Sequence, residues 1–418
     1  MKIIYFHQYF NTPEMSGGTR SYEMARRLVA AGHEVHMITS WVNETDQKDW
    51  YITNEAGINV HWFPNYYNNK MSYIDRIKAF FRFAYHAAKK GKTFKDADIV
   101  FATSTPLTIA LPAVSTAKKL NVPMVFEVRD LWPELPIAMG ALKNKFTQKL
   151  AYLLESWAYK NSDSIIALSP GMREGIVKAG YPYNKIAVIP NSSDNELFEI
   201  DFSLVNNFRY KFDWLGERKL VVYTGTFGII NGVSYLVDLA EEVYKIDSEI
   251  RFLLIGAGAE FELVKEYARK KGVLNINLFI MESIPKKEIP IVLKAATLST
   301  ALFIDKPEMR ANSANKFFDS LAAGTPILIN YGGWMVDIIE HNNCGLVVWN
   351  KTIEQAAIDL VDFLMDESKL TQAVSNAKKL AQTQFDRDNL AVQFSNVLDF
   401  TLDKRSQSVS NITEHYYP

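Results

Sequence analysis

Residues 2–39 read KIIYFHQYFNTPEMSGGTRSYEMARRLVAAGHEVHMIT, and their pattern decides the fold. Lys2–His7 is a short β-branched and aromatic run that reads as a strand. Thr19–Ala31 repeats apolar residues at helical spacing, and Glu34–Thr39 is a second strand-like run. Short strand runs alternating with helical segments are the pattern of a parallel sheet covered by helices. Working outward, the alternation continues as strand Asn59–Phe63, a helix near Ser72–Lys90, strand Ile99–Ala102, helix Leu107–Leu120 and strand Pro123–Val128. A helix near Lys145–Lys160, strand Ser164–Leu168, a helix after Pro170 and strand Ile186–Ile189 complete this half.

Pro190-Asn191-Ser192-Ser193-Asp194 is turn chemistry, rich in residues that bond their own backbone, and reads as a hinge. A second alternation follows through Leu220–Thr224, Phe252–Ile255, Asn275–Phe279, Leu298–Leu302, Ile327–Asn330 and Leu346–Val348. The expected architecture is two Rossmann-like, doubly wound α/β domains facing a cleft, at residues 1–190 and 200–380. A helix at 385–404 returns to the first domain, and 405–418 is expected as a flexible tail.

Composition narrows the function. Lys+Arg 46 against Asp+Glu 47 gives a formal net charge of -1, so no global field holds a nucleic-acid backbone and none is expected as a partner. The lone Cys344 excludes an intrachain disulfide and fits a reducing cytoplasm. Met1–Gln8 turns polar too early for a signal peptide, and no run approaches the ~20 apolar residues of a membrane span, so bilayer contact would be peripheral.

The richest chemistry lies at Arg310-Ala311-Asn312-Ser313-Ala314-Asn315-Lys316-Phe317-Phe318-Asp319, running on through Ser320 to Pro326. Asn312 or Ser313 can cap a helix that Gly324 stops before Pro326 opens the next strand. Free N–H groups and the positive dipole end then make an anion site, to which Lys316 adds a full charge. Asp319, four residues after Asn315, lies on the same face one turn deeper, where a carboxylate can accept ribose hydroxyls.

This chain resembles the retaining family-4 glycosyltransferases of the GT-B fold. Asp319 with Ala322-Ala323-Gly324-Thr325-Pro326 matches the second half of their signature helix. The Asn315–Asp319 run and Arg129-Asp130-Leu131-Trp132-Pro133 are similar to a bacterial O-antigen and capsule branch that includes L-fucosamine transferases. The likeness covers about residues 1–404. It implies transfer of a sugar, possibly a deoxyamino sugar, from a nucleotide-diphosphate donor, with a UDP-sugar expected, to a polyprenyl-diphosphate-linked saccharide. The configuration would be retained, and a donor phosphate oxygen would take the acceptor proton. The chain departs from the family at three positions. Ala311 replaces the first signature glutamate, while Thr226 and Asn231 stand where an arginine and a lysine commonly hold the donor diphosphate. Lys316, Arg310 and the helix-start amides are the expected substitutes.

The donor set is thus Gly17, Gly18, Gly225, Thr226, Asn231, Arg310, Ser313, Asn315, Lys316 and Asp319. Gly17 and Gly18 fall between the first strand and its helix, at the carboxyl edge where α/β sheets bind ligands, and in the family this loop faces acceptor and donor phosphate. Arg129 stands where many relatives keep a histidine near the sugar, and either Arg129 or Asp130 orients the acceptor hydroxyl.

Other signals carry less. Gly256-Ala257-Gly258 reads as a strand-to-helix turn, Asp96/Asp98 and Asp386/Asp388 as turn and cap residues, and His7 as a packed or loop residue. No metal site and no cofactor are expected. In Met71–Lys92 the stripe Ile74, Ile77, Phe81, Tyr85 and Ala88 is expected inward, leaving Phe80 and Phe83 among cations, where burial inside the domain and a peripheral inner-membrane contact are the two readings, burial the favoured one. The rivals are a nucleotide-sugar epimerase, which needs no acceptor, and a non-catalytic sugar-nucleotide-binding partner.

Overall fold

The computed structural model describes residues 1–15, 17–68, 71–104, 106–403 and 408–413. They divide into two compact units, Met1–Pro190 with Leu390–Pro418, and Asn191–Asn389.

The first unit is built on strands β1 (Lys2–Phe6), β2 (Glu34–Trp41), β3 (Tyr51–Glu55), β4 (Ile58–Pro64), β5 (Ile99–Thr103), β6 (Met124–Val128), β7 (Ser164–Ala167) and β8 (Ile186–Val188). They lie in the order β3-β4-β2-β1-β5-β6-β7-β8. All neighbours are parallel except β3, which runs antiparallel to β4 at the edge. The sequence reading lacks β3 because Tyr51-Ile52-Thr53-Asn54-Glu55 carries no buried run, and even Ile52 is exposed. The central strands are apolar on both faces, as helices covering a parallel sheet demand. Strand order reverses between β1 and β5, so the carboxyl ends of these two parallel strands frame the crevice where such sheets take ligands.

The helix Arg387–Leu402 joins this unit from Leu390 onward. Leu390, Phe394, Val397 and Leu398 enter the same core as Ile3, Tyr5 and Phe101, with the Phe394 and Phe101 ring centroids 4.8 Å apart. The tail expected at 405–418 is partly built in. Val409–Ile412 forms a 3-10 turn against that core, and Thr413 Oγ1 accepts from Val188 N–H at 2.9 Å. Residues 404–407 and 414–418 lie outside the described residues.

The helix Tyr73–Gly91 reverses the expected orientation. Ala79, Phe83, Ala84 and Ala87 are buried, Phe80 stacks on Tyr67, and Ile74, Phe81 and Tyr85 face solvent. Three alanines on the inner face let this helix approach closely, and Phe83 fills the space they leave. Phe81 and Tyr85 are as large as Phe83 yet face solvent, so side-chain size and helical spacing together point to the wrong face.

The second unit carries β9 (Leu220–Thr226), β10 (Arg251–Ala257), β11 (Leu278–Met281), β12 (Leu298–Ala301), β13 (Ile327–Ile329) and β14 (Gly345–Val347). All are parallel, in the order β11-β10-β9-β12-β13-β14. Counted from β9 this is the 3-2-1-4-5-6 arrangement of a doubly wound sheet, with its switch point between β9 and β12.

Candidate active site

At that switch point β9 ends in Tyr223-Thr224-Gly225-Thr226, and the helix Asn315–Ala323 begins beyond β12. Gly225 has φ +149, and a Cβ there would stand 2.2 Å from Lys316 Cε and 2.8 Å from its Nζ. The Lys316 side chain therefore lies directly across the glycine, with its ammonium 5.0 Å from the Tyr223 ring centroid. Tyr223 is held in place by its hydroxyl, which donates to Thr226 O at 2.7 Å. Burial pulls Lys316 down from the usual lysine range to about 8, and Asp319 acts in the opposite direction.

The start of this helix differs from the expected one. Its cap position is Ala314, with no side-chain cap bond, so neither Asn312 nor Ser313 closes it. Ser313 Oγ accepts instead from Asn191 N–H at 3.1 Å, and Ser313 O accepts from Asn191 Nδ2 at 2.6 Å. The hinge amide outcompetes the helix for the serine oxygen. The first-turn N–H groups of exposed Asn315 and of Lys316 thus retain their anion-binding capacity.

One turn deeper, Asp319 accepts from the Ser193 hydroxyl. Burial pushes its carboxyl above the usual carboxylate range, opposed by that hydrogen bond and by the charges of Arg387, Lys286 and Lys316. Ser193 is fixed in turn because Arg387 donates to Asp194 Oδ2 at 2.6 Å and to the Ser192 carbonyl. The hinge segment thus forms one wall of this pocket floor.

The remaining donor-side candidates are more scattered. Thr226 is exposed at the last position of β9, whereas Asn231 is buried in the 3-10 turn Ile229–Asn231. Arg310 stacks on Trp349, 5.1 Å from the ring centroid, with Nη2 3.6 Å from Asp305 Oδ1. Gly256 follows the turn reading with an added constraint: a Cβ there would lie 1.7 Å from Gly225 O, so the β9 loop rests on it.

In the first unit the corresponding edge is organised by charges that neutralise each other. Arg20 Nε donates to Glu127 Oε1 at 2.9 Å, Nη2 to Ile189 O at 2.8 Å and Nη1 to Pro190 O at 2.5 Å. Glu127 is fully buried and also accepts from Thr103 Oγ1 at 2.7 Å. Gly17 and Gly18 are exposed just before Arg20, while Ser16 lies outside the described residues. Arg129 N–H donates to Ser104 Oγ at 2.9 Å, and its Nη1 lies 3.4 Å from His7 Nε2. Burial, then the Arg129 charge, holds His7 well below the usual histidine range, leaving a neutral ring. Asp130 is half-buried beside Arg129.

Family comparison joins these two edges to a known architecture. Residues 17–192 match the glycosyl transferase 4-like domain, and residues 205–380 match the glycosyl transferases group 1 domain. The chain belongs to the GT-B glycosyltransferases. It is 23% identical to the putative colanic acid biosynthesis glycosyl transferase WcaI of Escherichia coli K12, over 70% of this chain and 74% of that protein. It is 19% identical to the GDP-mannose-dependent alpha-(1-6)-phosphatidylinositol monomannoside mannosyltransferase of Mycobacterium tuberculosis H37Rv, over 71% of this chain and 74% of that one. HepE of Anabaena, solved in complex with UDP, superposes with a TM-score of 0.72 at 17% identity, covering 96% of this chain and 100% of that one. At that identity the likeness speaks to the fold.

Within this glycosyltransferase, Gly225, Asn315, Lys316 and Asp319 come together at one switch point. Ser313 adjoins them but faces the hinge, and Arg310 is engaged with Asp305 and Trp349. His7 is buried, in keeping with the packed reading, with Arg129 beside it. Sequence reasoning places Ser193 in a turn and gives no sign of its contact with Asp319, which spans 126 positions. The discounted aspartates do structural work: Asp96 and Asp98 bind Lys2, and Asp386 caps the helix that follows it.

Proposed function

We propose that this glycosyltransferase moves a sugar, with retained configuration, from a nucleotide-diphosphate donor to a hydroxyl of a lipid-linked saccharide in surface polysaccharide assembly. The observation that carries the donor reading is Lys316 lying across Gly225 at an uncapped helix start, with Asp319 one turn deeper. In this reading the ammonium and the N–H groups of Asn315 and Lys316 hold the diphosphate, with the backbone at Gly225 and Thr226 close by. Asp319 accepts the ribose hydroxyls. Catalysis rests on positioning and on stabilising the diphosphate as it departs, which oriented dipoles do without reorganising. Lys316 gains charge as the anion arrives, because a phosphate beside it reverses the burial penalty. Arg129, Asp130 and neutral His7 are the acceptor-side groups of this reading, which routes no step through a metal.

UDP is the proposed nucleotide, supported by HepE being solved with UDP, although the mycobacterial relative is named for GDP-mannose. That same relative, named for phosphatidylinositol monomannoside, supports a lipid-borne acceptor, and WcaI, named for colanic acid biosynthesis, supports a surface-polysaccharide role. The Asn315–Asp319 and Arg129–Pro133 motifs support a deoxyamino sugar. Calorimetric titration of UDP, GDP, dTDP and ADP, repeated in excess chelator, tests the donor side. Lys316→Ala and Asp319→Asn should each weaken the preferred nucleotide by roughly ten- to hundredfold, the range of a lost charge-assisted bond of ~1.5–3 kcal/mol. Wild-type affinity in both variants would sink this placement. Nucleotide binding without turnover on any lipid-linked acceptor would favour the non-catalytic rival, and sugar conversion without acceptor the epimerase.

The proposed place of work is the cytoplasmic face of the inner membrane. Among the described residues no helix is long and apolar enough to cross a bilayer. Exposed Ile74, Phe81 and Tyr85 alternate with exposed Lys78, Arg82 and Lys89 on the Tyr73–Gly91 helix, a composition suited to an anionic lipid surface. Phe81→Ser with Tyr85→Ser should keep the melting temperature and reduce pelleting with phosphatidylglycerol vesicles. Unchanged pelleting would count against the contact.

A further inference from the structure

Beneath residues 195–201 the second unit holds a cavity of about 470 Å³, floored by Phe198 and Ala322 and walled by Lys294, Lys378, Glu199 and Gln382. Lys294 comes from the helix Ile289–Ala295 and Lys378 from the helix Glu367–Gln382. Neither ammonium forms an ion pair or hydrogen bond among the described residues, which is uncommon for the half-buried Lys294, while Lys378 is exposed. We propose that this cavity is an effector site for a small phosphorylated polyol, with the phosphoryl group between Lys294 and Lys378.

The lining brings cations and hydroxyl-binding groups into one space. Burial, then the neighbouring Lys378 charge, lowers Lys294 below the usual lysine range, and Glu199 only partly opposes this. A dianion between the two lysines removes both penalties at once. Asp201 does not compete for them, because it caps the helix Phe202–Tyr210 by accepting from Ser203 N–H at 2.8 Å. Glu199 and Gln382, unsuited to a phosphoryl group, suit the hydroxyls of a polyol. The apolar floor of Phe198 and Ala322 accepts its carbon face.

The site also has a route to the donor pocket, and this part rests on the donor reading above. Asn195, at the rim, donates to Ala381 O at 3.0 Å and to Asp386 Oδ2 at 3.1 Å. Two residues before it, Ser193 donates to Asp319. A ligand that ties residues 195–201 to Lys294 and Lys378 therefore holds Ser193 in place and fixes the Asp319 carboxyl for the ribose. Coupling of this kind is reciprocal, so effector and nucleotide each tighten the other.

The full chain is titrated by calorimetry and by thermal shift with glycerol 3-phosphate, inorganic phosphate and glycerol. Saturable binding of glycerol 3-phosphate, tighter than inorganic phosphate and absent for glycerol, is expected. Lys294→Ala and Lys378→Ala should each weaken it at least roughly tenfold, whereas Lys316→Ala should leave it unchanged. Lys378 is exposed, so its variant keeps the test valid should Lys294→Ala fold poorly. Binding that ignores both substitutions, is lost in Lys316→Ala, or does not occur at millimolar ligand overturns the site. With glycerol 3-phosphate saturating, UDP affinity should rise severalfold in the wild type and not in Ser193→Ala; an unchanged UDP affinity overturns the coupling. Should UDP fail to bind under any condition, the donor reading falls while the glycerol 3-phosphate result still decides the site.

Discussion

The carboxyl edges of the two sheets handle charge in opposite ways. At the first, Arg20 and Glu127 are both buried and almost every polar atom of the pair is spent on the other or on backbone carbonyls. At the second, Lys316 is half-buried across a glycine and forms no ion pair among the described residues. A buried pair that satisfies itself is scaffold, because removing either partner strands the other in a low-dielectric interior. A buried charge left unsatisfied is held at a cost to the fold, and that cost is recovered when an anion arrives. The difference separates the residues that hold a strand edge together from the one to which the proposed function gives the donor diphosphate.

Three experiments break or sharpen this contrast, in order of expected size. Arg20→Ala leaves Glu127 buried and uncompensated, and should cost about 3–5 kcal/mol in urea unfolding. A loss under about 1 kcal/mol would mean that the pair is not the scaffold described. Lys316→Met should do the reverse. Its folded-state value of about 8 lies below the usual lysine range, so at neutral pH the ammonium opposes folding. Removing it should raise the melting temperature by roughly 2–4 °C, the shift of about 1 kcal/mol in a unit this size, while donor affinity collapses. A lower melting temperature would place Lys316 among the structural residues.

The smallest effect is a pH dependence. Because burial brings the free-site Lys316 down to about 8 and a bound diphosphate raises that value, nucleotide affinity should be flat just below that pH. Above it, affinity should fall by up to about tenfold per pH unit, the slope of one linked proton. The profile of Lys316→Met should be flat throughout that range, and an identical slope in both proteins would assign the linkage to another group.

Much of this contrast was legible in the chain, but unevenly. The β-branched runs and helical spacing placed thirteen of the strands now seen, since parallel strands buried on both faces carry a dense apolar signal. Edge strand β3 escaped because its alternate residues face water. Lys316 and Asp319 were readable because both sit within a few positions of one helix start. The Arg20–Glu127 pair, separated by 107 positions, was not, and neither was the Asn191 amide that takes Ser313 away from the helix. On Tyr73–Gly91 the rule that large apolar residues face inward failed, because close packing selected the alanines and Phe83. Periodicity gives the face of a helix only when the inner residues are also the larger ones.

The return of Leu390–Leu402 to the first core bears on how the protein is made. The face of the first sheet that receives Phe394 is synthesised from Ile3 and Phe101, but its cover emerges roughly 200 residues after β8. At the ~5–20 residues per second of translation, that interval is about 10–40 s. Throughout it the nascent first unit presents apolar surface, and a fragment ending at Pro190 would present it permanently. The chain thus closes its earliest core with nearly its last helix, and the intervening second unit is encoded as an insertion within the first.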